Sequence, residues 1–177
     1  ELKALMKEVQ LAYHDHITQM YFIDCHTTSS ESQPYISVHH FPHSYYFAHN
    51  FPVYAIRGFD RYIKGTLDDF LNSRGIIGFT FEAGQHDDLG SIENHEAMIW
   101  LALAYTGMVS PEDLGCFPQC QAMLKKTIVE GKKVFDLIHR YEIKEGEDFT
   151  MKPGYVNFQQ IKQGEVLATN QKGEVRS

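Results

Sequence analysis

No apolar run in the sequence exceeds the nine residues Ala97–Tyr105, which include Met98–Tyr105, too few to cross a bilayer as a helix. Positive charge is also scarce: 16 Lys and Arg stand against 23 Asp and Glu, a net charge of −7. Coating nucleic-acid phosphates requires clustered cations, so the balance argues against a phosphate-coating nucleic-acid binder. The cysteines are few and odd in number. Cys25, Cys116 and Cys120 stand at scattered spacings, which implies no disulfide framework and a reducing, cytoplasmic setting. Cys116 and Cys120 have no second ligand pair, so a zinc knuckle is not expected. Nothing at the N-terminus resembles a signal peptide, and no internal repeat or low-complexity tract is visible. The first residue is Glu1 rather than Met, and the last residues, Arg176–Ser177, lie inside a strand-like pattern. A piece of a longer protein is expected.

What is present is a globular composition, 43% hydrophobic and 22% charged over 177 residues, enough for one ordinary domain. Leu2, Leu5, Met6, Val9 and Tyr13 recur at helical spacing, which predicts an amphipathic helix within residues 1–19. Tyr21–Cys25 reads as a short strand ending at His26, Pro34–His40 as a second, and Val53–Arg57 as a third. Thr66 and Asp69 have capping-box spacing for a helix that Gly75 closes. Ile76–Glu82 is almost continuously apolar, the pattern of a strand buried on both faces. Ser91 is placed to cap a helix running to Tyr105, and Ser110-Pro111 to open another. A long amphipathic helix is predicted over roughly Gln119–His139. Alternation of strands and helices over residues 1–139 implies an α/β fold with a parallel or mixed sheet. From Arg140 onward, turn chemistry around Gly146, Gly154 and Gly173 separates short extended runs, so 140–177 reads as a partial β-rich domain.

Two reactive side chains close predicted strands, the edge of an open α/β sheet where ligands bind. His26 follows Ile23-Asp24-Cys25 and can give an imidazole nitrogen to Zn²⁺, or simply bond a loop carbonyl. Glu82 ends the buried run Gly78-Phe79-Thr80-Phe81, where a carboxylate is costly unless it is paired or functional. Beside an activated water it can act as general base; otherwise it bonds backbone N–H groups. His39 and His43 stand at i, i+4, but Pro42 disfavours the helix that would align them. The aromatics between Tyr35 and Phe59 suit core packing, with some free to wall a pocket.

Together, Asp24-Cys25-His26-Thr27-Thr28-Ser29-Ser30 and Phe79-Thr80-Phe81-Glu82-Ala83-Gly84-Gln85-His86 resemble the succinylglutamate desuccinylase/aspartoacylase family of zinc hydrolases, relatives of the zinc carboxypeptidases. The resemblance implies a carboxypeptidase-like α/β fold, with 1–139 as the C-terminal part of its catalytic domain. It implies that His26 is a zinc ligand, that Glu82 is the general base/acid, and that Zn²⁺ is the cofactor. The substrate would be a small molecule, an N-acylated amino acid or related compound cleaved at an amide or ester bond. The family carries a His-x-x-Glu zinc pair and a substrate-binding Asn-Arg pair upstream, and neither occurs in residues 1–25. His14-Asp15-His16 points its imidazoles to different sides of a helix, and His139-Arg140-Tyr141-Glu142 follows Glu82 and reads as a surface coincidence. Two zinc ligands are therefore expected outside this chain, which alone should be inactive and bind zinc weakly.

Arg57, Arg61 and Arg74 could grip a substrate carboxylate, but none aligns with the family's arginine, so substrate-binding residues stay unassigned. The alternatives are a carboxypeptidase-type metallopeptidase and a truncated, non-catalytic binding module. No nucleic-acid or membrane partner is expected, and a homo-oligomer stays open.

Overall fold

The computed structural model describes residues 2–13, 16–126, 128 and 134–177. Of the His14-Asp15-His16 cluster, His14 and Asp15 lie outside the described residues. A five-stranded mixed sheet is built from β1 (Tyr21–Thr28), β2 (Tyr35–Val38), β3 (Tyr54–Arg57), β4 (Ile77–Gln85) and β5 (Val134–Asp136). Its order is β1-β4-β2-β3-β5. β1 runs parallel to β4, β4 is antiparallel to β2, and β2, β3 and β5 run parallel to one another. The helices are α1 (Leu2–Tyr13), α2 (Pro42–His49), α3 (Leu67–Asn72), α4 (Gly90–Tyr105) and α5 (Phe117–Lys125). A smaller antiparallel sheet follows, β6 (Thr150–Met151), β7 (Val166–Asn170) and β8 (Gly173–Arg176). Phe158, in the loop before β7, packs its ring against Tyr35, Tyr54 and Phe135 of the large sheet. Among the described residues, no helix is long and apolar enough to cross a membrane.

The core lies on one face of β4. Phe79, Phe81 and Ala83 alternate along the strand and are fully buried, packed with Phe51, Met98, Leu101 and other members of one apolar cluster. Thr80 and Glu82 point the other way, as the two-residue period of a strand requires.

Some sequence expectations need correction. The helix predicted over Gln119–His139 ends at Lys125, and Val134–Asp136 is instead an edge strand paired with β3. Branched and aromatic Val134-Phe135 suit a pleated surface, so tertiary pairing wins over a helical reading of the spacing. Ser110-Pro111 opens only a turn; the helix begins at Phe117, with Pro118 in its first turn. Ser91 does not cap α4, which starts one residue earlier; the Asp88 carboxylate accepts from the Gly90 N–H at 2.9 Å. Pro42 starts α2 instead of preventing a helix, leaving His39 outside it. Thr66 does cap α3, accepting from the Asp69 N–H.

The sheet tolerates no side chain at Gly78. A Cβ there would lie 2.1 Å from the Phe22 carbonyl oxygen and 2.5 Å from its ring. The Gly78 N–H also donates to the Ser44 hydroxyl, which in turn donates to the Asn72 carboxamide oxygen, tying α2 and α3 to β4. Beyond the end of β2, His39 is 3% exposed and holds Asp68 of α3, also 3% exposed, with Nε2 3.0 Å from Oδ2. The hydrogen bond to Asp68 is the main cause that raises the His39 pKa. Burial would raise that of Asp68, but bonds from His39 and Thr66 outweigh it and hold it below the carboxylate range.

Two outcomes follow from this packing. Gly78→Ala should cost about 1–3 kcal/mol, read as a lower urea midpoint. Asp68→Asn leaves a buried imidazole without its anion and should cost about 3–5 kcal/mol. The stabilisation from His39 is complete below its ordinary pKa and is lost as pH rises through the raised one. That from Asp68 is complete above its ordinary value and is lost as pH falls through the depressed one. The Tm gap between the native chain and Asp68→Asn should therefore be widest between about pH 4 and 6.5 and narrow on both sides. A gap independent of pH would show that the pair is not charged.

Candidate functional site

Three adjacent strands turn alternate residues onto the face opposite the core. Asp24 lies across from Thr80, and Thr80 from Ser37; one step along, His26 lies across from Glu82, and Glu82 from Tyr35. These two rows of three all line one cavity of about 530 Å³. Neighbouring strands lie about 4.7–4.9 Å apart, so the row His26–Glu82–Tyr35 is a contiguous strip of functional groups. The remaining wall comes from the segment Phe59–Asp68 and from His39.

The structure thus brings the two sequence-predicted residues together. His26 is about half exposed, and its Nε2 lies 3.2 Å from Asp24 Oδ2. With Nε2 engaged by the carboxylate, Nδ1 keeps its lone pair for another partner. Glu82 is half-buried, and its Oε2 has no hydrogen-bond partner. Burial raises the Glu82 pKa, opposed by His26 and His86 and reinforced by Asp24. Burial, and then the Glu82 charge, push the Tyr35 hydroxyl up to about 12, so it remains a proton donor. Burial also keeps the His95 imidazole of α4, whose ring meets Phe81 edge-on, below its ordinary pKa.

Just past Glu82 the β1–β4 register shifts: two steps along β1, His26 to Thr28, match three along β4, Glu82 to Gln85. This bulge passes through Gly84 at φ +127°, a conformation open to glycine and strained for other residues. The carbonyls it frees are satisfied: Asn94 Nδ2 donates to Ala83 O at 2.9 Å and the Thr28 hydroxyl to Gly84 O at 3.3 Å. After the bulge, Thr27 Oγ1 and His86 Nδ1 lie 2.7 Å apart, pinning the exit of β4 to that of β1.

Sequence reasoning missed Tyr35 as a site residue, and with it the His39–Asp68 couple in the wall. The only local sign of the couple was the acidic first turn of α3, and nothing in the spacing links it to a histidine 29 residues earlier. The candidate arginines lie elsewhere. Arg57 forms a bidentate pair with Asp136, Arg74 covers the Phe70 ring, Arg61 reaches His40, and none lines the cavity. His139-Arg140-Tyr141-Glu142 is exposed and non-helical. Among the described residues, no group of three or more His, Cys, Asp or Glu could hold a metal ion.

No protein-family model and no curated protein sequence matches the chain. Solved structures do. A succinylglutamate desuccinylase/aspartoacylase from Rhodobacter sphaeroides superposes with a TM-score of 0.50 at 13% identity, covering 87% of this chain and 48% of that one. The product-bound ectoine utilization protein EutE (DoeB) from Ruegeria pomeroyi gives 0.59 at 14% identity, covering 87% and 48%. Its apo structure gives 0.59 at 13%, covering 88% and 50%. The chain spans about half the length of each, and over that span it has the α/β fold of these structures.

Proposed function

We propose that this chain carries part of the active site of a zinc-dependent hydrolase that cleaves an amide or ester bond of a small N-acylated amino acid or related compound. Residues 1–139 would belong to its catalytic domain and 140–177 to a β-rich domain that follows. The observation that supports this most is Glu82: a carboxylate with an unpaired buried oxygen, raised in pKa, directly across the sheet from His26 in an open cavity.

His26 would offer Nδ1 to the metal while Asp24 orients the ring through Nε2, the usual arrangement behind a ligating imidazole. The remaining donors would come from residues other than those described. A zinc ion held with His26 would supply Lewis acidity to the scissile carbonyl and the attacking water. Glu82 takes the proton of the attacking water on its unpaired oxygen and delivers it to the leaving amine. A raised pKa suits both transfers, because the group is then a stronger base and still gives the proton back near neutral pH. Tyr35, held protonated beside Glu82, is placed to donate to a substrate oxygen.

In the full-length protein, Glu82→Gln should lower kcat by about 10²–10⁴ with zinc retained. Near-normal turnover would remove Glu82 from the chemistry. The acid limb of kcat/KM should lie above the ordinary carboxylate range, since the active form is the ionised one. The folded chain holds the Glu82 proton to higher pH than the unfolded chain, so ionisation costs stability as pH rises through that window. Glu82→Gln should consequently raise Tm at neutral pH, with the gain fading as pH falls below the ordinary carboxylate pKa. The 177-residue chain alone should bind zinc weakly in equilibrium dialysis; tight stoichiometric binding would show that the ligand assignment is wrong.

A further inference from the structure

Phe158 holds a backbone conformation that its side chain disfavours. The turn over residues 156–159 is closed by the Gln159 N–H donating to Val156 O at 3.3 Å. Phe158 stands third in it with φ +64°, a left-handed position that normally goes to glycine or asparagine. A bulky residue stays there only where its surroundings over-determine it. Here those surroundings are three rings of the large sheet. Tyr54 lies directly across from Tyr35, and Phe135 lies across from Ile56, two residues on from Tyr54, so all three share the face that carries Glu82. The centre of the Phe158 ring is 5.4 Å from that of Tyr35, which it meets edge-on, 4.8 Å from Tyr54 and 5.2 Å from Phe135. The Tyr155 hydroxyl donates to Glu165 at 2.7 Å, tying the turn to the residue before β7.

Tyr35 therefore has neighbours of two kinds. Glu82 lies across from it on β4, and Phe158 packs against its ring from the β-rich segment. A ring set edge-on fixes the orientation of its neighbour as well as covering it. Without that ring, water and other rotamers would become open to Tyr35. We infer that Phe158 is a positioning residue, through which the β-rich segment holds the Tyr35 side chain in place beside Glu82. The positioning stands on the ring contacts; its effect on turnover rests on the hydrolase function proposed above.

The test follows Tyr35 by NMR in the 177-residue chain, isotope-labelled at the tyrosine Cζ atoms and assigned with Tyr35→Phe. In the native chain, nuclear Overhauser effects should connect the Phe158 and Tyr35 rings, and Tyr35 should titrate at about 12. The titratable groups that share its cavity are Glu82, Asp24, Asp68, His26 and His39, and Phe158→Gly leaves all of them in place. That variant relieves the positive φ while removing the ring, so Tyr35 should titrate closer to the ordinary tyrosine value of about 10. Phe158→Tyr should restore the native titration. Phe158→Asn, also at ease at positive φ, carries the expectation of the glycine variant if that one does not fold. A lower Tm with Tyr35 titrating as in the native chain would reduce Phe158 to packing and overturn the inference. Absence of Overhauser effects between the two native rings would overturn it as well. In the full-length protein, Phe158→Gly should lower kcat by up to about 10²-fold, and the loss should shrink in the Tyr35→Phe background. An equal loss in both backgrounds would show that Phe158 does not act through Tyr35. Loss of the raised Tyr35 titration in Phe158→Gly, in a native protein that turns nothing over, would remove only the hydrolase function.

Discussion

The parallel pairing of β1 with β4 in one register is the constraint on which the site depends. Side chains in a strand alternate with a period of two, so a slip of one residue would turn Asp24 and His26 to the other face while Thr80 and Glu82 stayed in place. The sequence resists such a slip from both ends. At the start of the pair, Gly78 accepts the close approach of Phe22, and a slip would bring a side chain against it. At the far end, the bulge through Gly84 and the contact of His86 with Thr27 lock the strands together. Along β4, the core residues Phe79, Phe81 and Ala83 fix which face is dry. Burying these three residues is what aims Glu82 into the cavity.

Much of this was legible in the residues. Apolar runs marked β1 and β4, Thr66 marked the start of α3, and a histidine and a glutamate at strand ends marked two candidate positions that only the family resemblance joined into one site. The strand order was not legible, because nothing local says that β2 inserts antiparallel beside β4. β1 was read as ending at His26 and β4 at Glu82; both run on, to Thr28 and Gln85, since pairing across a bulge continues through polar residues that carry no apolar signal. The helix drawn through Gln119–His139 failed for the same kind of reason. Val134-Phe135-Asp136 has free choice of partner, and Asp136 finds Arg57 on β3, a contact between residues 79 positions apart. The His39–Asp68 couple is equally non-local, and its members read singly as a turn histidine and a helix-start acid.

The site also shows where foldability gives way. Glu82 Oε2, His39 Nδ1, His95 Nε2 and Asn72 Nδ2 are buried without hydrogen-bond partners, and Ile63 and Leu67 are partly exposed in the cavity. Unpaired buried polar atoms usually cost about 1–3 kcal/mol each, so a fold selected for stability alone would remove them. Two of these atoms belong to residues that line the cavity, a third to a helix whose His95 ring meets Phe81 of β4, and the fourth to Asn72 at the end of α3. Local conflict of this kind collects at sites that must keep a group ready for a partner.

The surroundings of His26 limit how a metal site could be completed under the proposed function. On one side along its row stand Glu82 and Tyr35, carried by β4 and β2, and beyond them the sheet continues to β3 and β5. β1 is the last strand in the order, so among the described residues nothing pairs with its other edge. An open strand of eight residues is a long edge to leave bare, and proteins generally cover or pair such an edge.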